Sequence, residues 1–273
     1  FSGIGVYGSA IAYENLQILN NQIDVENYGI NYICIKSTQM ASNLINSNSI
    51  RAGQVGISLS NTMGSTKITD NNITTSHTGI DLFSSVAIID NNNIRGVCDD
   101  EQCSKVSFTK VAEKGIRLAK NSEAEILNNF ITNYYTSMDI QQSETGMLYK
   151  NELNFSYYGI SSNEANIEII TNYINYTNSA IDIEDTEIKI NNLIINSFET
   201  GIYAFNSSLD IEAITLQDGN VCIEVIDSTY SITSYDNMDC IEAKLYEKYF
   251  FNVKIQTNEG IVASQHNFQF SDF

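Results

Sequence analysis

Asp81, Arg117 and Asp139 are the residues whose types and spacing best suit chemistry. Each follows an apolar residue in a recurring phrase: Gly-Ile-Asp-Leu at 79–82, Gly-Ile-Arg-Leu at 115–118 and Ser-Met-Asp-Ile at 137–140. If these phrases align, an arginine stands between two carboxylates, one repeat from each. Such a set can flank a sugar as acid and base, or hold Ca²⁺ through oxygen ligands. It can also compensate itself as a ladder of opposite charges, worth about 0.2–1 kcal/mol per pair. The self-compensating ladder is the expectation. Asp81, Arg117 and Asp139 are the catalytic candidates if the chain is an enzyme.

A second candidate is aromatic. Tyr134, Tyr135, Tyr157, Tyr158, Tyr173 and Tyr176 crowd into the middle of the chain. Phenol rings beside Asn and Ser suit sugar faces and protein contacts. Tyr134, Tyr135, Tyr157, Tyr158 and Tyr176 are therefore candidate carbohydrate contacts, with a shielding stack over a coil edge as the alternative. For metal, Asp99, Asp100 and Glu101 lie between Cys98 and Cys103, but lack the glycine and ligand spacing of a calcium loop. No cofactor is required, and Ca²⁺ is the ion those oxygens would suit.

Cys98–Cys103 and Cys222–Cys240 are the expected disulfides, with Cys34 left over, and they point to an oxidising compartment, with reduced buried thiols as the alternative. The second pair is expected because each cysteine directly precedes an aligned apolar residue, so the two would stack one turn apart. N-x-S/T sequons at Asn72, Asn154, Asn175 and Asn206 are candidate glycosylation sites that would face outward. Neither histidine, His77 or His266, has a partner at metal or triad spacing.

The elements that position these residues follow from a repeat. Apolar anchors stand at Ile4, Ile30, Ile57, Ile80, Ile116, Met138, Ile160, Ile181, Ile202, Ile223 and Ile241. From Ile116 to Ile223 the steps are 22, 22, 21, 21 and 21 residues. Aliphatic columns also run seven and twelve residues before the anchors, as Ile23, Ile50, Ile73 and as Ile18, Ile45, Ile68. Within each segment apolar and polar residues alternate, which is the period of a strand. Three short strands per turn, unable to bury a face alone, stack into a solenoid with one continuous core. At about 4.8 Å per turn, eleven anchors make a rod of roughly 50 Å.

Asn21, Asn48, Asn71, Asn92, Asn129, Asn151 and Asn172 hold one place in seven successive turns. An Asn side chain can bond the backbone of a tight bend, tolerate the left-handed conformation, and bond its neighbours along the axis. These asparagines are read as structural. One step of 36 residues carries an insertion near 96–114, where binding on a rigid solenoid is expected.

The phrases DNNITTSHTGIDL and NNFITNYYTSMDI resemble the right-handed parallel β-helix repeats of the pectate-lyase-like superfamily, and more narrowly the NosD-type repeats of archaeal and bacterial surface proteins. The resemblance implies an all-β fold, a right-handed single-stranded parallel β-helix of about 11 coils with three strands each, over residues 1–244. Residues 245–273 then form a C-terminal β-hairpin cap, or the beginning of a β-sandwich that resembles an immunoglobulin-like segment. The family spans lyases, glycosidases, epimerases, tailspikes, adhesins and inert spacers, so the fold does not choose among activities.

Composition narrows the partners. A formal charge of −19, from 33 acidic and 14 basic residues, repels phosphate backbones, so nucleic acid is not expected. No apolar run is long enough to span a membrane. Both ends read as open repeat sequence. The expected function is a non-catalytic extracellular or cell-surface structural protein, adhesin or filament-forming subunit. The alternatives are a polysaccharide lyase or glycoside hydrolase, or a carbohydrate-binding module. The expected partners are other copies of the chain, by head-to-tail stacking or strand exchange, or surface glycans.

Overall fold

Each alternating segment forms a β-strand on one side of a coil. The computed structural model describes residues 2–9, 16–35, 42–62, 64–97, 111–233, 235–246, 255–257 and 260–263. Apart from one antiparallel pair, Ile255–Thr257 with Gly260–Ala263, every strand pairing among these residues is parallel and joins one turn to the next. The turn from residue 55 shows the pattern. Val55–Ser60 lies in sheet A, Thr66–Thr69 in sheet B and Asn72–Thr75 in sheet C. The chain then re-enters sheet A at Thr78–Phe83.

The aliphatic columns point inward. Ile57, Ile80 and Ile116 pair in sheet A, Ile45, Ile68 and Ile89 in sheet B, and Ile50, Ile73 and Ile94 in sheet C, all at most 2% exposed. Burying each such side chain stabilises the fold by about 1.5–3 kcal/mol. Because parallel pairing repeats the register of the previous turn, one aliphatic column becomes one ridge of a continuous core.

The bends are as regular as the strands. Between sheets B and C a single residue takes the left-handed conformation, including Asp70 (φ 56°), Asn91 (φ 53°) and Asn128 (φ 52°). Most residues pay roughly 1–2 kcal/mol for that conformation, and Asn and Asp less. The next residue is the ladder asparagine. Asn48 N–H donates to Asn71 Oδ1 (2.9 Å), Asn71 N–H to Asn92 Oδ1 (3.0 Å), and Asn92 N–H to Asn129 Oδ1 (2.9 Å). Adjacent residues therefore divide two tasks, as where Asn91 bends the chain and Asn92 bonds the adjacent turn.

Between sheets A and B a second ladder runs through hydroxyls. Thr62 N–H donates to Ser85 Oγ, Ser85 N–H to Ser122 Oγ, and Ser207 N–H to Ser228 Oγ at 2.8–3.3 Å. At the third bend, from sheet C to sheet A, Gly29, Gly56, Gly79 and Gly115 occupy one column. A Cβ on Gly79 would lie 2.4 Å from Ile94 Cγ2 and 2.5 Å from Gly115 O. From Phe130 onward the C and A strands merge, as in Phe130–Gln141 and Glu152–Asn163, with left-handed residues at Asn133, Phe155 and Tyr176 inside them.

Two expectations change. The described strands close about nine turns rather than 11, because an anchor marks only one strand and does not certify a whole coil. The last anchor also moves. A register shift between Val221 and Glu224 sets Glu224 beside Lys244 and Val225 beside Leu245, so Ile241 does not continue the column of Ile223. Most of the insertion, residues 98–110, lies outside the described residues.

Candidate functional site

The outer side of sheet A carries Ser58, Asp81, Arg117, Asp139, Ser161, Asp182, Tyr203 and Glu224 on adjacent rungs. Parallel register brings the three charged candidates together. Arg117 Nη1 donates to Asp81 Oδ1 at 3.4 Å, and Arg117 Nε lies 4.0 Å from Asp139 Oδ2. A fourth member, Lys114, bonds Asp139 Oδ2 through Nζ. Gln141 Nε2 donates to Asp139 Oδ1 at 2.8 Å.

The site thus holds two carboxylates and two cations that pair with one another, with Arg117 Nε buried and not hydrogen-bonded. Asp139 is only 5% exposed, and both of its oxygens are occupied. Burial pushes the Asp81 carboxyl above its ordinary value, opposed by the positive charges of Arg117 and then Lys114. General acid–base work needs a carboxyl within reach of a substrate proton. Asp139 instead spends its lone pairs on its own scaffold. Lys114 escaped the sequence reading because its column, two residues before the anchors, otherwise holds Val55, Thr78 and Thr136 and shows no charge pattern.

The aromatic candidates gather at the bend between sheets C and A. The rings of Tyr135 and Tyr157 stack at 4.9 Å with a 5° interplanar angle, and Tyr158 meets both edge-on, at 5.7 Å and 4.8 Å. Phe155 stacks on Tyr176 with the same spacing, 4.9 Å. Tyr135 is 41% and Tyr176 51% exposed, although large apolar rings favour the interior. Phe155 was missed because the search followed tyrosines, while the structure selects any ring at the left-handed position and the places that follow it.

Tyr134 must be withdrawn from the carbohydrate candidates. It is fully buried, its hydroxyl is hydrogen-bonded to Thr75 Oγ1 at 2.8 Å, and burial pushes its phenol pKa up. The strand alternation that turns Tyr135 outward turns Tyr134 into the core. Asn154 is corrected likewise. It is 7% exposed and its Nδ2 donates to Glu152 Oε1 at 2.8 Å, which leaves no room for a glycan. Asn72 and Asn206 are exposed, and Asn175 is half-buried.

The aromatic corner is edged by acid. Asp182 lies within electrostatic reach of both Tyr158 and Tyr203, and burial followed by the Glu184 charge raises its pKa. At the other end of the sheet A strands, a groove of about 900 Å³ follows the bend between sheets A and B, lined by Lys120, Asn121, Glu123, Glu144, Glu164 and Asp185 among others.

Among the described residues, no three His, Cys, Asp or Glu side chains converge as a metal-binding set. Asp99, Asp100, Glu101, Cys98 and Cys103 lie outside the described residues. Cys222 is buried, but the backbone register sets Cys240 across from Gly219. The register shift makes the relation of that cysteine pair diagonal rather than straight, and Cys222 is disulfide-bonded. Among the described residues, no helix is long and apolar enough to cross a membrane.

The sequence family described as the right handed beta helix region matches residues 55–216, and the chain belongs to it. No curated protein matches the sequence. Two solved structures of PfbA, a surface protein and adhesin of Streptococcus pneumoniae, are similar. The first is 11% identical with a TM-score of 0.31, covering 89% of this chain and 91% of that one. The second is 12% identical with a TM-score of 0.24, covering 86% and 85%.

Proposed function

We propose that this chain is a non-catalytic β-helix module of an extracellular or cell-surface protein, acting by adhesion through its lateral face. The observation that carries the reading is the closed state of Asp139, whose two oxygens are bonded to Lys114 and Gln141. A solenoid that commits its best-placed carboxylates to self-compensation keeps a rigid, displayed surface and no free acid–base pair. The exposed ring stacks supply contact area at low conformational cost. The charge of −19 opposes side-by-side clustering of copies, so self-association in this reading runs end to end.

The test is a cleavage screen against acidic and neutral polysaccharides, run with wild type and Asp139→Asn. The expected result is no cleavage by either protein. Turnover by wild type that Asp139→Asn abolishes, with the fold intact by circular dichroism, would overturn the reading. Mass photometry over a concentration series checks the end-to-end association.

A further inference from the structure

The acids of this chain are unevenly spread. Residues 151–233 contain thirteen Asp and Glu and one basic residue, Lys189, whereas residues 1–150 contain fourteen acids and ten bases. All the ion pairs among the described residues fall between His77 and Asp139. Beyond that point no ion pair forms among the described residues, and several acids take amides instead. Asn154 donates to Glu152, Asn163 to Glu184 (3.0 Å) and Asn220 to Glu199 (2.6 Å). The same turns hold the exposed ring stacks of Tyr135–Tyr157 and Phe155–Tyr176.

We propose that this aromatic corner is the docking site for an extended, Arg- and Lys-rich segment of a partner polypeptide, an inference that rests on the chain being a binding module. The rings present electron-rich faces and edges, and cations bind such faces. Glu199 and Asp218 stand in the columns of Tyr157 and Tyr176, two rungs further along, and Asp182 acts electrostatically on Tyr158. Guanidinium groups satisfy both demands, stacking on a ring while forking to a carboxylate. A neutral glycan would use the rings but gain nothing from the acid surplus. A second copy of the chain would bring like charge. From the turn of Tyr135 to the turn of Asp218 is four rungs, roughly 19 Å, a span covered by about six residues of extended chain.

The experiment uses the purified chain and a fluorescein-labelled (Arg-Ser)₄ peptide in fluorescence anisotropy at 150 mM salt. A (citrulline-Ser)₄ peptide keeps the shape and removes the charge. Saturable binding of the arginine peptide and none of the citrulline peptide is expected. The Tyr157→Ala/Tyr176→Ala variant should weaken it at least about tenfold, the loss of a desolvated cation–π contact. Glu123→Gln/Glu144→Gln, in the groove at the bend between sheets A and B, should change it less than about twofold. Equal losses in both variants would reduce the effect to bulk charge and overturn the site. So would absence of arginine-peptide binding, or binding of neutral oligosaccharides that the ring variant weakens. A wild-type chain that cleaves polysaccharide would instead overturn the non-catalytic reading, a result that anisotropy does not touch.

Discussion

Adjacent asparagines 91 and 92 should respond very differently to the same substitution. Asn92 is 2% exposed. Its Oδ1 accepts from Asn71 N–H (3.0 Å) and Asn71 Nδ2 (2.9 Å), and its Nδ2 donates to Ile68 O (2.8 Å), Asp90 O (3.0 Å) and Asn129 Oδ1 (3.0 Å). Asn92→Ala deletes all of these and strands the buried N–H of Asn71. With about 1 kcal/mol net for each well-made bond and about 1–3 kcal/mol for a buried orphan, the shared hydrogens bring the expected loss to about 3–5 kcal/mol. Asn91, by contrast, has an exposed side chain and a left-handed backbone (φ 53°). Asn91→Ala should cost about 1 kcal/mol, chiefly because alanine lacks asparagine's tolerance of that conformation and its exposed bond to Asp70 Oδ1, and Asn91→Gly close to nothing.

Urea unfolding followed by far-ultraviolet circular dichroism measures all three. Because each turn contacts only its neighbours, Asn92→Ala should also weaken the coupling between the two halves of the rod and broaden the transition. A larger loss for Asn91→Ala than for Asn92→Ala would refute the division of labour between bending and bonding.

Three further outcomes are expected. Gly79→Ala, whose Cβ would meet Ile94 Cγ2 and Gly115 O, should lower stability by about 1–3 kcal/mol in the same assay. Tyr134→Phe should cost about 1–2 kcal/mol by leaving Thr75 Oγ1 buried without its partner, and should leave anisotropy with the arginine peptide unchanged. Asp182 has a raised pKa through burial and then the Glu184 charge, so its contribution is most favourable below the unfolded carboxyl pKa and is lost as pH rises through the folded one. Asp182→Asn should therefore be more stable than wild type at pH 7, and that advantage should vanish at pH 3, as urea titrations at the two pH values will show.

The scaffold was legible because it is periodic. Inward aliphatics such as Ile80 and Ile116 recur every turn, and the parallel ladder preserves their register. What escaped was whatever a column average hides. The hydroxyl ladder of Thr62, Ser85 and Ser122 was overlooked because Ser and Thr are common on any strand exterior, and because Ala165 interrupts it. The displacement of Ile241 was invisible because a bulge changes register without leaving a residue type as its mark. Lys114 was missed for a different reason. A side chain with four methylenes can reach a carboxylate on the next turn, so pairing depends on reach as well as on column.

The asparagine ladder ends further along the chain than the candidate surface begins. After Asn172 the same corner place is taken by Leu193 and Ile214, at 0% and 2% exposure, so the inner side of the bend passes from amide bonding to apolar packing. The adjacent bend changes three turns earlier, where left-handed Asn133, Phe155 and Tyr176 stand in the turns of Asn129, Asn151 and Asn172. Gly96 still has the close approach, since a Cβ there would lie 1.9 Å from Asn133 O. One turn later, Asn133 itself has turned left-handed and sends Tyr135 outward. Once a continuous strand replaces the tight glycine bend, alternation forces every second corner residue into solvent. The outward side chains in these turns are rings and acids, so a change in how the backbone turns the corner is also what creates a surface for binding.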